Sequence, residues 1–161
     1  MKKIKNPYAG LEEQGYNCFA CCPSNPFGLK MEFYEDGDDI VTFWTPEARF
    51  QGWIDTLHGG IQALLLDEIC GWVVTRKLQT TGVTSKMETQ YLKPVFTTDS
   101  QLTLRARISK QMRNIAFIEA ELFDSQGTLC TKATCTYFCA SKEKAAEEIG
   151  FIGCELESEA L

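Results

Sequence analysis

Histidine is almost absent: His58 is the only one among 161 residues. A zinc site usually needs four ligands, so with one imidazole a second ligand pair is hard to assemble. A basic excess is lacking too. Sixteen Lys and Arg against 22 Asp and Glu give a formal net charge of −6, which argues against a nucleic-acid binder and its basic stripe. An anionic small molecule is not excluded, because a few local cations hold a phosphate whatever the global sign. No long apolar run exists either: the stretch from Ile61 to Val74 is interrupted by Gln62, Asp67 and Glu68, which rules it out as a membrane span. An export signal is missing, since Asn6-Pro7-Tyr8 follows Met1-Lys2-Lys3-Ile4-Lys5 where an apolar core should begin. The expectation is a cytoplasmic protein that binds neither membrane nor nucleic acid. There is no internal repeat and no low-complexity linker.

What is present suits one domain over residues 1–161, with 44% hydrophobic and 24% charged residues. The eight cysteines would suggest a disulfide framework only in a short secreted chain. Cys18, Cys21 and Cys22 cluster in an N-terminal segment rich in Pro, Asn, Gly and Cys. They read as buried or merely neighbouring thiols, and no metal is expected.

Strand signals run over Leu29 to Tyr34 and Ile40 to Thr45 around a polar turn, a hairpin pattern. Pro46 to Leu57 reads as loop. The run from Ile61 to Val74 is too long for one strand and apolar almost all round, which predicts a helix buried on most faces. Strands are predicted over Val83 to Leu92, Leu102 to Ile108, Ile115 to Phe123 and Leu129 to Ala140. An acidic tail after Ser141 predicts a short exposed helix and a loose end. Two strands, one very hydrophobic helix and four antiparallel strands predict an α+β fold, a curved sheet wrapped round the helix, with a core over about 17–140.

Asp67 is the informative residue. A carboxylate amid Leu64, Leu65, Leu66, Ile69 and Trp72 is costly unless paired, hydrogen-bonded or protonated, whereas Glu68, one position round, is expected to face out. Either Asp67 serves chemistry, or it occupies a solvent-facing edge or ties down a loop. Just before the helix, His58-Gly59-Gly60 exposes backbone N–H groups at the positive end of the dipole, suited to polarising a carbonyl; a plain tight turn would use the same residues. Gly59 and Asp67 lie eight positions apart, ~12 Å along a helix. If both act on one carbon, they come from two antiparallel copies of the helix, which predicts a dimer with two equivalent sites.

The runs His58-Gly59-Gly60-Ile61, Leu66-Asp67-Glu68 and Thr84 to Tyr91-Leu92-Lys93-Pro94-Val95, with Cys18-Phe19-Ala20-Cys21, Asn25-Pro26-Phe27-Gly28-Leu29 and Phe50-Gln51-Gly52-Trp53, resemble the hotdog-fold thioesterases of the phenylacetate-pathway (PaaI-like) type. The resemblance covers roughly residues 17–140. It implies an antiparallel sheet round one long helix, assembly as homodimers or homotetramers, and hydrolysis of acyl- or aroyl-CoA thioesters without a cofactor. Asp67 would be the general base for water, or its nucleophilic alternative. The Gly59 N–H, beside Gly60, would polarise the thioester carbonyl. Thr84 would hold the water or the carboxylate, and Gln51 would add a polar contact. His58 suits capping or orientation better than proton transfer. Arg105, Arg107, Lys110 and Arg113 would hold the nucleotide phosphates, or are simply solvated. Cys22 stands where many relatives have Gly, and a thiol near the substrate entrance or dimer edge is expected from it. A non-catalytic acyl-CoA sensor on the same fold, or a hydratase, remains the competing reading.

Overall fold

The computed structural model describes residues 1–157. Strand β1 (Lys2–Lys3) precedes an irregular segment with one 3-10 turn at Glu12–Gln14, then β2 (Phe33–Asp36) and β3 (Asp39–Trp44). A small hairpin, β4 (Gln51–Trp53) and β5 (Thr56–Leu57), leads into helix α1 (Gly59–Val73). Strands β6 (Gly82–Tyr91), β7 (Leu102–Met112), β8 (Ile115–Phe123) and β9 (Leu129–Cys139) come next, then α2 (Lys142–Ile149). The main sheet runs β1-β2-β3-β7-β8-β9-β6, antiparallel at every ladder. The class is α+β, as the sequence predicts.

Alternation explains the layers. Leu102, Leu104 and Ala106 of β7, and Ala116, Ile118, Ala120 and Leu122 of β8, are buried on the face toward α1. The helix answers with Leu65, Leu66, Ile69, Cys70, Trp72 and Val73, where each large side chain removed from water contributes about 1.5–3 kcal/mol. The helix ends in a π turn, Val74–Leu78, which sends Arg76 and Lys77 to Glu35 at 3.0 and 2.9 Å.

Three expectations are corrected. Strand β2 starts at Phe33, not Leu29: Lys30 adopts φ +54, and Leu29 and Met31 donate their N–H groups to the carbonyls of Phe19 and Ala20 at 2.8 and 2.9 Å. Those residues are buried against the cysteine segment instead of a strand. The supposed loop before the helix contains the β4–β5 hairpin, turned at Asp55 with φ +57. The tail forms the expected short helix, yet the chain beyond Ile149 is not loose. Phe151 and Cys154 are buried, and Glu157 N–H donates to the Lys3 carbonyl at 2.9 Å. The core thus reaches beyond 17–140; residues 158–161 of that predicted loose end lie outside the described ones.

Cys22 is also misplaced by the sequence reading. It is fully buried, with its Sγ 3.2 Å from Ser24 Oγ, so it exposes no thiol at an entrance or edge. Among the described residues, no helix is long and apolar enough to cross a membrane.

Candidate active site

Asp67 is half-buried at mid-helix, facing β6 and β9. Thr84 Oγ1 donates to its Oδ1 at 2.7 Å. The Tyr137 hydroxyl reaches the same Oδ1 at 3.0 Å and the Asp67 carbonyl at 2.8 Å. One carboxylate oxygen is thereby fixed by two hydroxyls, and Oδ2 accepts no hydrogen bond among the described residues. Burial pushes the Tyr137 phenol above its ordinary range, so it stays a donor at neutral pH. Tyr137 escaped the sequence reading: it sits on β9, 70 residues from Asp67, and only strand register brings the two together.

Thr84 reaches Asp67 because β6 is irregular. Met87 pairs with Cys135 and Lys86 with Thr136, but Thr84, not Ser85, pairs with Tyr137. Cys135 and Tyr137 are both buried, so their partners face inward, and the extra residue Ser85 shifts the alternation by one. In an unbroken ladder Ser85 would occupy the inward row. A second bulge interrupts β7 between Ile108 and Lys110, one row away across the sheet.

The other end of β6 meets the other part of the site. Tyr91 donates to the Gly59 carbonyl at 2.8 Å, and a Cβ on Gly59 would lie 3.3 Å from the Tyr91 ring, a close approach that glycine allows. His58 is the N-cap: its Nδ1 accepts the Gly60 N–H at 2.8 Å, worth about 1 kcal/mol. The Gly59 N–H has no acceptor among the described residues. Of the two glycine amides, only that of Gly60 is used by the cap. Gln51 is exposed and takes the Asp55 N–H at 3.3 Å, closing the hairpin just before the helix.

The four basic residues lie on β7 and its turn. Arg105 and Arg107 pair in register with Glu121 and Glu119, on the sheet face opposite α1. Arg105 is held by Asp36 and Asp39 at 2.8 Å each. A cleft of about 410 Å³ on this face carries Arg105, Arg107 and Lys132 but also Asp39, Glu88, Glu119 and Glu121, which leaves it without an anion-selective sign. Lys110 and Arg113 lie farther along, toward the row Gln111–Ala116–Tyr137–Thr84.

A single long helix wrapped by an antiparallel sheet, with a carboxylate at mid-helix and a free amide at its start, defines the hotdog class. Residues 55–131 match the family model of the thioesterase superfamily. The chain is similar to a thioesterase superfamily protein at 20% identity and TM-score 0.69, over 75% of its own residues and 62% of that protein's length. It is similar at 27% identity and TM-score 0.64 to a hypothetical thioesterase of Streptococcus pneumoniae solved with coenzyme A, over 69% of this chain and 86% of that one. The pneumococcal protein has also been solved with an aspartate or a threonine replaced by alanine. The PaaI protein of Escherichia coli shares the fold at 19% identity and TM-score 0.64, over 70% of this chain and 81% of that one. No curated protein sequence matches.

Proposed function

We propose that the chain is a cytoplasmic, PaaI-like thioesterase that hydrolyses acyl- or aroyl-CoA to free acid and CoA, without a cofactor. The observation that supports it most is the asymmetric Asp67 carboxylate, with Oδ1 held by Thr84 and Tyr137 and Oδ2 left to take a proton. Asp67 Oδ2 removes a proton from water as its oxygen attacks the thioester carbon. A helix-start Gly59 N–H stabilises the oxyanion. Collapse breaks the C–S bond, and the proton on Asp67 passes to the departing CoA thiolate. His58 orients the helix start through its cap, Gly60 shapes it, and Gln51 stands beside it. Arg105 is neutralised by its two aspartates, so phosphate contact falls chiefly to Arg107, Lys110 and Arg113.

The site takes two chains. Within one chain Asp67 and Gly59 are anchored seven residues apart on β6, at Thr84 and Tyr91, roughly 20 Å of strand. Strand β6 is the outer edge of the sheet and is exposed along most of its length, a template for pairing with a second copy. Antiparallel pairing about a twofold axis between Met87 and Glu88 sets Thr84 of one chain opposite Tyr91 of the partner subunit. That brings Asp67 toward the Gly59 amide of the partner subunit. The dimer, or a tetramer of such dimers, is the catalytic unit.

A panel of acyl- and aroyl-CoA substrates followed by free-thiol release tests the activity. Turnover of at least one class supports it. Tight binding of acyl-CoA with no turnover of any would make the chain a binding module instead.

A further inference from the structure

The N-terminal cysteines and Glu68 take no part in that chemistry. Asp67 and Glu68 are consecutive and so point about 100° apart round the helix. Glu68 does not face solvent, as the sequence suggests, but turns toward the N-terminal segment. Its Oε1 accepts Trp72 Nε1–H at 3.1 Å and lies 3.7 Å from Cys18 Sγ. Ligand atoms of Cys18, Cys21 and Glu68 all lie within 4.8 Å of one another. No basic side chain pairs with Glu68 among the described residues.

We propose that Cys18, Cys21 and Glu68 bind one divalent, thiophilic metal ion of the zinc type, which pins the N-terminal segment to α1. Sequence alone supplies two neighbouring thiols; the helix supplies the third ligand from 50 residues away.

The surroundings are those of a metal thiolate site. The Cys21 N–H donates to Cys18 Sγ at 3.4 Å, and the Cys22 N–H closes the turn onto the Cys18 carbonyl at 3.1 Å. Backbone N–H groups aimed at a thiolate stabilise its charge. Tyr16 hydroxyl lies 3.2 Å from Cys21 Sγ and accepts from Asn6 Nδ2 at 3.1 Å. Its own proton is therefore free to donate to the second sulfur, the outer-shell support such ligands need. Water completes a tetrahedron.

Charge points the same way. Three anion-forming groups crowd together within 4.8 Å, and among the described residues no basic side chain pairs with any of them. A dication removes the conflict: it takes both sulfurs as thiolates and Glu68 as carboxylate, releasing the Cys21 proton and any proton on Glu68 to solvent, with no change of oxidation state.

The experiment uses the full chain, reduced with a phosphine and stripped with a chelator, titrated with cobalt(II) and then zinc(II) chloride. The expected result is one cobalt per chain with a thiolate-to-metal charge-transfer band, displacement by zinc, release of protons and a raised Tm. Cys18→Ser, Cys21→Ser and Glu68→Gln, checked for folding by circular dichroism, should each weaken binding by roughly 10–100-fold or more. Cys139→Ser, on the far end of β9, should leave it unchanged. If one serine variant fails to fold, Glu68→Gln carries the comparison. Three results would overturn the site: no band and no Tm shift in reduced wild type, equal binding by all three folded variants, or a reduced chain that closes a Cys18–Cys21 disulfide in air but takes up no metal.

Discussion

Thr84 Oγ1 donates to Asp67 Oδ1 at 2.7 Å, joining the edge strand to the central helix at the one carboxylate that faces β6 and β9. Tyr137 braces the same oxygen from β9 at 3.0 Å. A carboxylate held in this way has its second oxygen directed by the first.

Asp67→Asn keeps the volume and the two hydroxyl contacts but removes the anion. Turnover should fall ~10²–10⁴-fold, the usual loss of a general base, while acyl-CoA affinity and folding are retained. Steady-state thiol release beside ligand binding on the same folded variant checks it; wild-type turnover would remove Asp67 from the mechanism.

Tyr137→Phe deletes one hydroxyl that holds the carboxylate. Hydrogen bonds to charged groups contribute about 1.5–3 kcal/mol, so kcat should drop roughly 10–100-fold with KM nearly constant. A matching rise in KM instead would make Tyr137 part of the binding surface.

The two-chain site has a mixing test. Proline is tolerated at the first helical position, where its missing N–H costs no helix bond, and His58 already has φ −57 and ψ 131, the geometry a following proline demands. Gly59→Pro removes the amide; its Cβ meets the Tyr91 ring at 3.3 Å, which must yield by a few tenths of an ångström. The variant is therefore first checked for folding by circular dichroism, and the folded variant should be inactive. Mixed with Asp67→Asn under subunit exchange, the heterodimer carries one intact site, and activity should return to about one quarter of wild type. Two inactive proteins that stay inactive after verified exchange would place both groups in one chain.

Glu68 gives a pH signature. Its folded value, about 7, lies above the ordinary 4.5, so the folded chain holds the proton more tightly. The resulting stability is complete below 4.5 and is lost as pH rises through 7. In chelator, wild type should lose stability relative to Glu68→Gln across that window. Urea midpoints at pH 4.5, 6 and 7.5 measure it, and a constant difference contradicts the assignment. Cys18, Cys21 and Tyr16 face Glu68, and Cys18 is coupled to it at 3.7 Å, so the same difference is read again in a Cys18→Ser background.

Much of this was legible in the chain. The helix showed itself by length and all-round apolarity, and strands β7 to β9 by clean alternation or by a hairpin turn. The resemblance put Asp67, Gly59 and Thr84 together as residues of one site. Periodicity alone could not have done so: Thr84 and Tyr91 differ by an odd number, so a regular strand would turn them to opposite faces. The bulge at Ser85 has no sequence mark as plain as a glycine turn. Tyr137 was hidden because its partner is 70 residues away, and Glu68 because the segment that covers it is irregular. Arg105 read as a free cation because its two aspartates stand 66 and 69 residues earlier.

The bulge also settles where β6 tolerates a change of length. Its two inward anchors, Tyr91 on Gly59 and Thr84 on Asp67, stand in opposite phase, reconciled by one unpaired residue. With the bulge at Ser85 kept, adding or removing a residue between Lys86 and Tyr91 would invert one anchor relative to the other. At Ser85 the ladder is already broken, and a deletion there leaves both facing in. Loss of Ser85 is the change of length that keeps every other pairing of the strand with β9, and it falls beside the carboxylate.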